Sequence, residues 1–492
     1  MSDAHKYFKG STDGKAPLST DPLEGCKDRY DVVVIGSGLG GMTAANVLGK
    51  AGRRVLLLEQ HYNFGGLATW FKRRGGHVFD ISLHGFPIGM KKTCRKYWNQ
   101  EIESRIVQLE GVRFDNPQFR FDTTFTSADF TAKLESVFGL ERSRIDAFFA
   151  ELRSADFYGD SGETTAHFFE RHFPGRNDVH RLLMEPISYA NGSTLDDPAL
   201  SYKIVFGNFM SSGVYTFSGG TDRLVKAMKA ELESRGVELR NKVQVDRIRV
   251  EGGRVTGVEA HGRFIACDAV VSNASLKGTV LGLVGEAAFS PEFAAGVRGV
   301  RLSTSSTQVY IGLAAGESIP FVTDLLFTSM RNTFTSEALC DMDGLSRTFS
   351  FYYPKTRPGV ERYTIVSSTN ARFADWARLS DVEYAAAKSR LTETTLASLE
   401  HYVPGIGAKI EHVEAATPRT FQFYTQAPEG TSFGTKFEGL KYSMNLHEEI
   451  SGLFHAGSVG IIMSGWLGAA NYGVIVANKC DAWLHALLEV HA

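Results

Sequence analysis

The sequence predicts an α/β fold: a Rossmann-like nucleotide-binding domain built from separated segments, with an α+β second domain interleaved between them. Three observations predict it. The stretch from Asp31 to Glu59 reads as a strand, the turn Gly36-Ser37-Gly38-Leu39-Gly40-Gly41, a helix, a second apolar strand and an acid. The region 237–275 alternates polar and apolar residues around a Gly252-Gly253 turn, the pattern of short strands, and its apolar run Ala269 to Val271 rejoins a parallel sheet. The segment 450–478 is glycine-rich and free of Asp, Glu, Lys and Arg, so the chain closes in the style in which it opens.

Residues 1–29 are polar and charged, lack the apolar core of a signal peptide and read as a loose tail. Val32 to Ile35 then form a buried strand. Gly36 permits a tight turn, Gly38 lets the backbone approach a pyrophosphate, and Gly41 lets the helix pack close to the strand. The helix that starts beside Leu39 and Gly40 turns unpaired amides and the positive end of its dipole towards the phosphates, with Ser37 in the same turn. Glu59 ends the next strand, where its carboxylate accepts hydrogen bonds from a ribose diol.

Further along, helical patterns appear from Phe138 to Leu152 and after Gly219-Gly220-Thr221-Asp222, where Leu224, Met228 and Leu232 repeat every fourth residue before Gly236. A helix from Asp381 to Tyr402 stops before Pro404. The resulting division assigns 30–95, 218–285 and 411–492 to the nucleotide-binding domain, and 96–217 and 286–410 to a substrate domain.

The 492 residues carry a formal net charge of −2, which excludes a polyanion-binding charge excess and with it a nucleic-acid partner. The five cysteines are far apart and form no CxxC or zinc pattern, which points to a reducing compartment, the cytoplasm. There is no ordered metal-ligand set. The 34 Phe and 17 Tyr suit either a large core or a wide apolar tunnel for a hydrophobic ligand. The 450–478 run is long enough to mimic a membrane span, but Gly452, Gly457, Gly460, Gly465, Gly468 and Gly473 fit it better to a segment buried under a cofactor.

Three features choose FAD over NAD. Gln60 and His61 are followed by Gly65-Gly66-Leu67-Ala68, a second glycine pair that suits a loop passing close to a long cofactor. The chain after Asn241 brings the Val243 backbone towards an adenine. The C-terminal segment reads as a strand from Leu453 to Ala456, a turn at Gly457 and Ser458, and a helix starting near Trp466 to Ala469 that stabilises negative charge on a reduced flavin, with Gly465, Trp466 and Leu467 against the cofactor. No second strand-GxGxxG-helix unit is evident, so electrons come from or go to a separate partner, a quinone, oxygen or the substrate itself.

The glycine turn, Leu58 to His61 with Gly65-Gly66, His77-Val78-Phe79-Asp80, the stretch Gln422-Phe423-Tyr424 to Phe433-Gly434 and the closing Ala456-Gly457 to Gly473 segment together resemble the FAD-dependent phytoene desaturase, carotenoid isomerase and retinol saturase superfamily. The form of Leu58 to His61 with Gly65-Gly66 and the Gln422 to Gly434 stretch look closest to the retinol saturase and carotenoid isomerase branch. The resemblance implies a fold of the glutathione reductase and amine oxidase type. It also implies noncovalent FAD, and a lipophilic isoprenoid-, carotenoid- or retinoid-like substrate that is desaturated, saturated or isomerised at carbon–carbon double bonds. It places Gly36, Ser37, Gly38, Gly40, Gly41, Glu59, Gln60, Gly66, Leu67, Val243 and Gly457 against the cofactor. Ser458 stands where many such flavoproteins carry an acid for the ribityl chain.

His84 and Tyr424 are the candidate acid–base groups, His84 because it follows a strand that should run near the flavin and Tyr424 as a pocket-lining phenol. The run 204–221 is either a substrate wall or a buried strand pair. Two other functions share such a scaffold. An amine oxidase-like enzyme often carries a covalent cysteine near the flavin, and none lies between Leu453 and Lys479. A non-catalytic prenyl-binding protein has no need of the intact glycine turn and Glu59. A bilayer-soluble substrate makes peripheral membrane contact a further expectation, although no amphipathic anchor with a basic face is evident.

Overall fold

A computed structural model describes residues 21–155 and 162–491, with side chains described as far as 489. Of the stretch read as a tail, residues 1–20 lie outside the described residues. From Asp21 on the chain is packed: Leu23 and Cys26 are buried, and Arg29 already begins the first strand. Two apolar side chains in an otherwise charged stretch suffice to dock it.

The first sheet forms as the alternation predicts. Arg29–Ile35 is flanked in parallel by Val55–Glu59 and Arg263–Ser272; Glu238–Asn241 extends it beyond Val55–Glu59, and Leu453–His455 pairs in parallel with Arg263–Ser272. Val245–Glu251 and Arg254–Ala260 complete it as an antiparallel meander turning at Gly252 and Gly253. Val32, Val33, Val34, Leu56 and Leu57 are fully buried, as strands covered on both faces require.

The second sheet runs in the order Ile410–Ala416, Ser305–Leu313, Thr364–Ala371, Ser346–Tyr352, Leu325–Ser329, Val112–Asn116 and Phe119–Thr123. Val309, Ile311, Phe349, Phe351 and Ile365 point to one face and pack against Leu399 and Val403 at the end of the long helix. That helix spans Asp381–Tyr402, and Ser380 and Glu383 close its start with a reciprocal capping box.

The run 204–221 is not a strand pair. It begins inside the helix Ala199–Met210 and continues into the strand Val214–Phe217. Tyr202, Phe206 and Met210 fall on one helical face and fill a core with Phe148 and Phe168, so packing at four-residue spacing overrides the strand preference of the aromatics.

Asp80, Asp222 and Arg357 tie three distant segments together. Asp80 accepts hydrogen bonds from the Thr221 amide at 2.7 Å and the Thr221 hydroxyl at 2.5 Å. The Arg357 guanidinium, from the second sheet's Tyr353–Tyr363 connection, donates to Asp80 at 2.6 Å and to Asp222 at 3.2 Å. Asp80 and Arg357 are both buried, so the pair is satisfied only as a unit.

Candidate functional site

The glycine turn opens the helix Leu39–Lys50, which has no side-chain cap and no acid in its first turn. Its amides and dipole end are left for an anion. Both the amide and the hydroxyl of Ser37 donate to one Glu59 oxygen, at 2.8 and 2.6 Å; the other oxygen accepts from the His61 amide at 2.8 Å. The buried Glu59 has no cationic partner among the described residues. A carboxylate offers about four acceptor directions, so Glu59 keeps capacity for a diol.

The second glycine pair lies on the first. The Gly65 amide donates to the Ser37 hydroxyl at 3.0 Å, and a Cβ added at Gly66, whose φ is +60°, would stand 2.9 Å from the Gly38 Cα. The Ala68 amide donates to the Gly65 carbonyl at 2.9 Å, and the Leu67 carbonyl accepts from the Ser82 hydroxyl at 2.8 Å. The Val243 amide donates to the Glu59 carbonyl at 2.9 Å, which brings that residue beside the acid after the strand has ended. Gln60 turns outward, its amide 3.4 Å from the Tyr424 carbonyl.

The C-terminal segment closes the cradle. Asn273 donates its amide to the Ile35 carbonyl at 2.7 Å and its side chain to the Ala456 carbonyl at 2.7 Å, clamping the two ends of the chain. Gly457 packs on the Ala274 carbonyl, and Gly434 packs on Ser458, each with no room for a Cβ. The helix Gly465–His491 again has no acid in its first turn; Trp466 donates to the Ser82 carbonyl at 3.0 Å, and Leu467 lies against Gly89. Neither Asn273 nor the buried trio Ser443, His455 and Tyr472 was singled out from the sequence. His455 contacts Ser443 at 2.6 Å and the Ala274 carbonyl at 2.9 Å, directly behind Gly457. The Ser272-Asn273 step at the end of an apolar run was the available signal for Asn273.

Beyond Ser82 the chain runs from the cradle to the second sheet, and the region bounded by the two, the chamber, holds His84. The Tyr310 hydroxyl donates to the Gln308 carbonyl oxygen, which turns the Gln308 amide nitrogen to His84 Nε2 at 3.3 Å. The ring therefore accepts at Nε2 and donates from Nδ1 to the Ser350 hydroxyl at 2.9 Å. Burial pushes the His84 pKa down to about 4, with Asp80 opposing, so the ring is neutral near pH 7. The end of the helix Asn177–Asn191 reaches the start of the C-terminal helix: Tyr189 and Ala190 are partly buried, and the Ala190 carbonyl lies 3.5 Å from a Cβ built on Gly465.

Tyr424 is not in this chamber. It is 47% exposed and sets its ring edge-on to His61 at 5.5 Å, on the surface beside Glu59. The helix Pro418–Thr425 ends there, so Tyr424 is directed to solvent and not to the interior. Arg419 lies over the Tyr384 ring at 4.3 Å, beside Asp381 at 3.7 Å, an ordinary surface arrangement. Among the described residues no group of three His, Cys, Asp or Glu is placed to hold a metal, and no helix is long and apolar enough to cross a membrane.

Residues 39–387 match the model of the flavin-containing amine oxidoreductase family. The chain is 23% identical to all-trans-retinol 13,14-reductase from Homo sapiens, over 83% of this chain and 77% of that protein. It is 24% identical to the chloroplastic prolycopene isomerase of Arabidopsis thaliana, over 93% and 84%. It is 26% identical to the neurosporene-forming phytoene desaturase of Cereibacter sphaeroides, over 88% and 90%. Among solved structures, the fold is shared with an oxidoreductase from Methanosarcina mazei (TM-score 0.63, 18% identity, 93% of this chain and 99% of that one). It is also shared with cyclohexylamine oxidase from Brevibacterium oxydans (TM-score 0.63, 15% identity, 94% and 99%).

Proposed function

The chain belongs to the flavin-containing amine oxidoreductase family, and from that membership we propose that it is an FAD-dependent oxidoreductase acting at carbon–carbon double bonds of an isoprenoid-type lipid, as its relatives' names suggest. The observation that carries the proposal is the cradle itself. An uncapped helix start, a second helix start without an acid, a buried carboxylate without a cation and tightly packed glycine backbone are gathered where the two ends of the chain meet, and we read them as one groove that runs to His84.

In that groove Gly36, Ser37, Gly38, Leu39, Gly40 and Gly41 hold the pyrophosphate by their backbone. Glu59 takes the adenosine ribose, with the Gln60 backbone beside it, and Val243 flanks the adenine. Gly66, Leu67 and Ala68 line the middle of the cofactor, Gly457 and Ser458 its ribityl chain, and Gly465, Trp466 and Leu467 the pyrimidine edge. FAD, when bound, supplies hydride transfer to or from carbon. The protein orients the chain, excludes water and, at His84 Nδ1, holds a proton on a neutral ring beside the reacting carbons. Segments 30–95, 218–285 and 411–492 form the cofactor half, and 96–217 with 286–410 the substrate half. Electrons pass to or from a separate carrier, and the lipid arrives by peripheral contact with a bilayer.

The test is anaerobic. Purified protein carries extractable FAD; after photoreduction, mixing with a conjugated isoprenoid reoxidises the flavin or yields a geometric isomer, whereas amines leave the oxidised flavin unchanged. Reduction by an amine in place of the lipid response would reassign the protein to amine oxidation, and properly folded protein that takes up no flavin would end the proposal.

A further inference from the structure

The chamber is not apolar on all sides. On the face of the second sheet turned away from Leu399 and Val403, the middle strands carry Ser306, Gln308, Ser350 and Ser368. Ser368 is directly opposite Gln308 on one neighbouring strand and Thr348 on the other, so it occupies the centre of the sheet. Both its strand's edges are paired and the other face is filled by the long helix's core. Ser368 nevertheless keeps accessible surface, as does His84, which its register partner Gln308 holds, whereas the flanking Ser367 and Thr369 are buried. That surface lies on the sheet face whose Gln308 and Ser350 hold His84.

The two ends of this polar strip touch the cradle. The Ser306 hydroxyl meets Ser432 at 2.9 Å, in the loop whose Gly434 rests on Ser458. At the other end Ser350 and Gln308 hold His84, two residues after Ser82, which itself bonds Leu67 and Trp466. Gln308, Ser350 and His84 satisfy one another. The Ser368 hydroxyl has no hydrogen-bond partner among the described residues.

A hydrocarbon pressed against that strip would leave a hydroxyl desolvated without a partner, which is costly, while a ligand oxygen would pair with it. Sites built to hydrogen-bond a substrate group discriminate strongly against the analogue that lacks it. We propose that the lipid carries an oxygen function, a hydroxyl or carbonyl, that bonds Ser368 beside His84, so that oxygenated isoprenoids are selected over hydrocarbons of the same skeleton. The proposal rests on the isoprenoid reading of the site.

The test uses FAD-loaded, full-length protein titrated anaerobically with a diterpene hydrocarbon and with the alcohol of the same skeleton, following the bound-flavin spectrum. The alcohol is expected to bind about tenfold more tightly, the equivalent of one hydrogen bond. S368A is expected to reduce the preference below about threefold, and S368T, which restores a hydroxyl, to retain it; FAD content equal to that of the parent shows each variant folded. Equal binding of both lipids by the parent, or a preference undiminished in S368A, would overturn the inference while leaving the isoprenoid reading in place. If neither lipid perturbs the flavin, the isoprenoid reading falls first.

Discussion

Gly473 and Gly40 meet backbone to backbone: the position of a Gly473 Cβ is already taken by the Gly40 carbonyl oxygen. The C-terminal helix is thereby seated directly on the phosphate-facing helix, with Asn273 wedged alongside.

Alanine at this crossing must push the helices apart. G473A is expected to cost about 1–3 kcal/mol, the usual range for overpacking, and to lower FAD occupancy. G282A, where a Cβ meets nothing within 4 Å, serves as the neutral control. Thermal unfolding with and without added FAD, together with flavin absorbance per protein, reads both effects.

Glu59 holds the glycine turn through Ser37 and the following loop through His61. E59Q keeps an acceptor and loses the charge, so FAD affinity should fall about tenfold, in line with about 1.5–3 kcal/mol for hydrogen bonds to a charged group. E59L, which removes both acceptors, should fall further. Fluorescence titration of apoprotein with FAD gives the order; equal affinities for all three would exclude Glu59 from the ribose site.

Removing one partner of the Asp80–Arg357 pair strands a charge in the core. R357M should destabilise by about 3–5 kcal/mol, the range for breaking a buried ion pair. The double variant D80N/R357M should recover part of that loss. Urea denaturation of R357M, D80N and the double variant measures the coupling.

Six histidines set a pH window. Burial lowers both His84 and His455 to about 4, and His61, His77, His180 and His447 shift in the same direction, each chiefly through burial. In the unfolded chain a histidine takes up its proton near pH 6.5. Between pH 6.5 and 4 these histidines bind more protons in the unfolded state, so their contribution to stability should fall as the pH falls through this window, opposed in part by Glu185, whose carboxyl burial pushes up to about 7. H455N should remove at most one proton's share of the slope, about 1.4 kcal/mol per pH unit. Denaturant midpoints measured across this range provide the check.

The sequence made the phosphate turn legible because strand, glycines, helix and acid follow one another within Asp31 to Glu59, where local geometry decides the structure. The Asp381–Tyr402 helix was legible for the same reason, since its cap and its stop are both local. Asn273, His455 and the Ser368 strip were not. Their roles arise from pairings between segments far apart in the chain, and no periodicity records which strand will lie beside which. Tyr424 was misplaced because a motif neighbourhood in sequence does not specify which way the end of a short helix faces. The Ala199–Met210 helix was missed because its aromatic composition favours a strand, and only the core partners Phe148 and Phe168 settle the matter.

The seating of Gly473 on Gly40 sets an order of events during synthesis. The phosphate turn leaves the ribosome early, yet the helix that locks it is translated more than four hundred residues later. The half-built groove must wait with its apolar flank uncovered, exposed to chaperones and to other nascent chains. The cradle is thus complete only once the C-terminal helix has packed onto the phosphate turn.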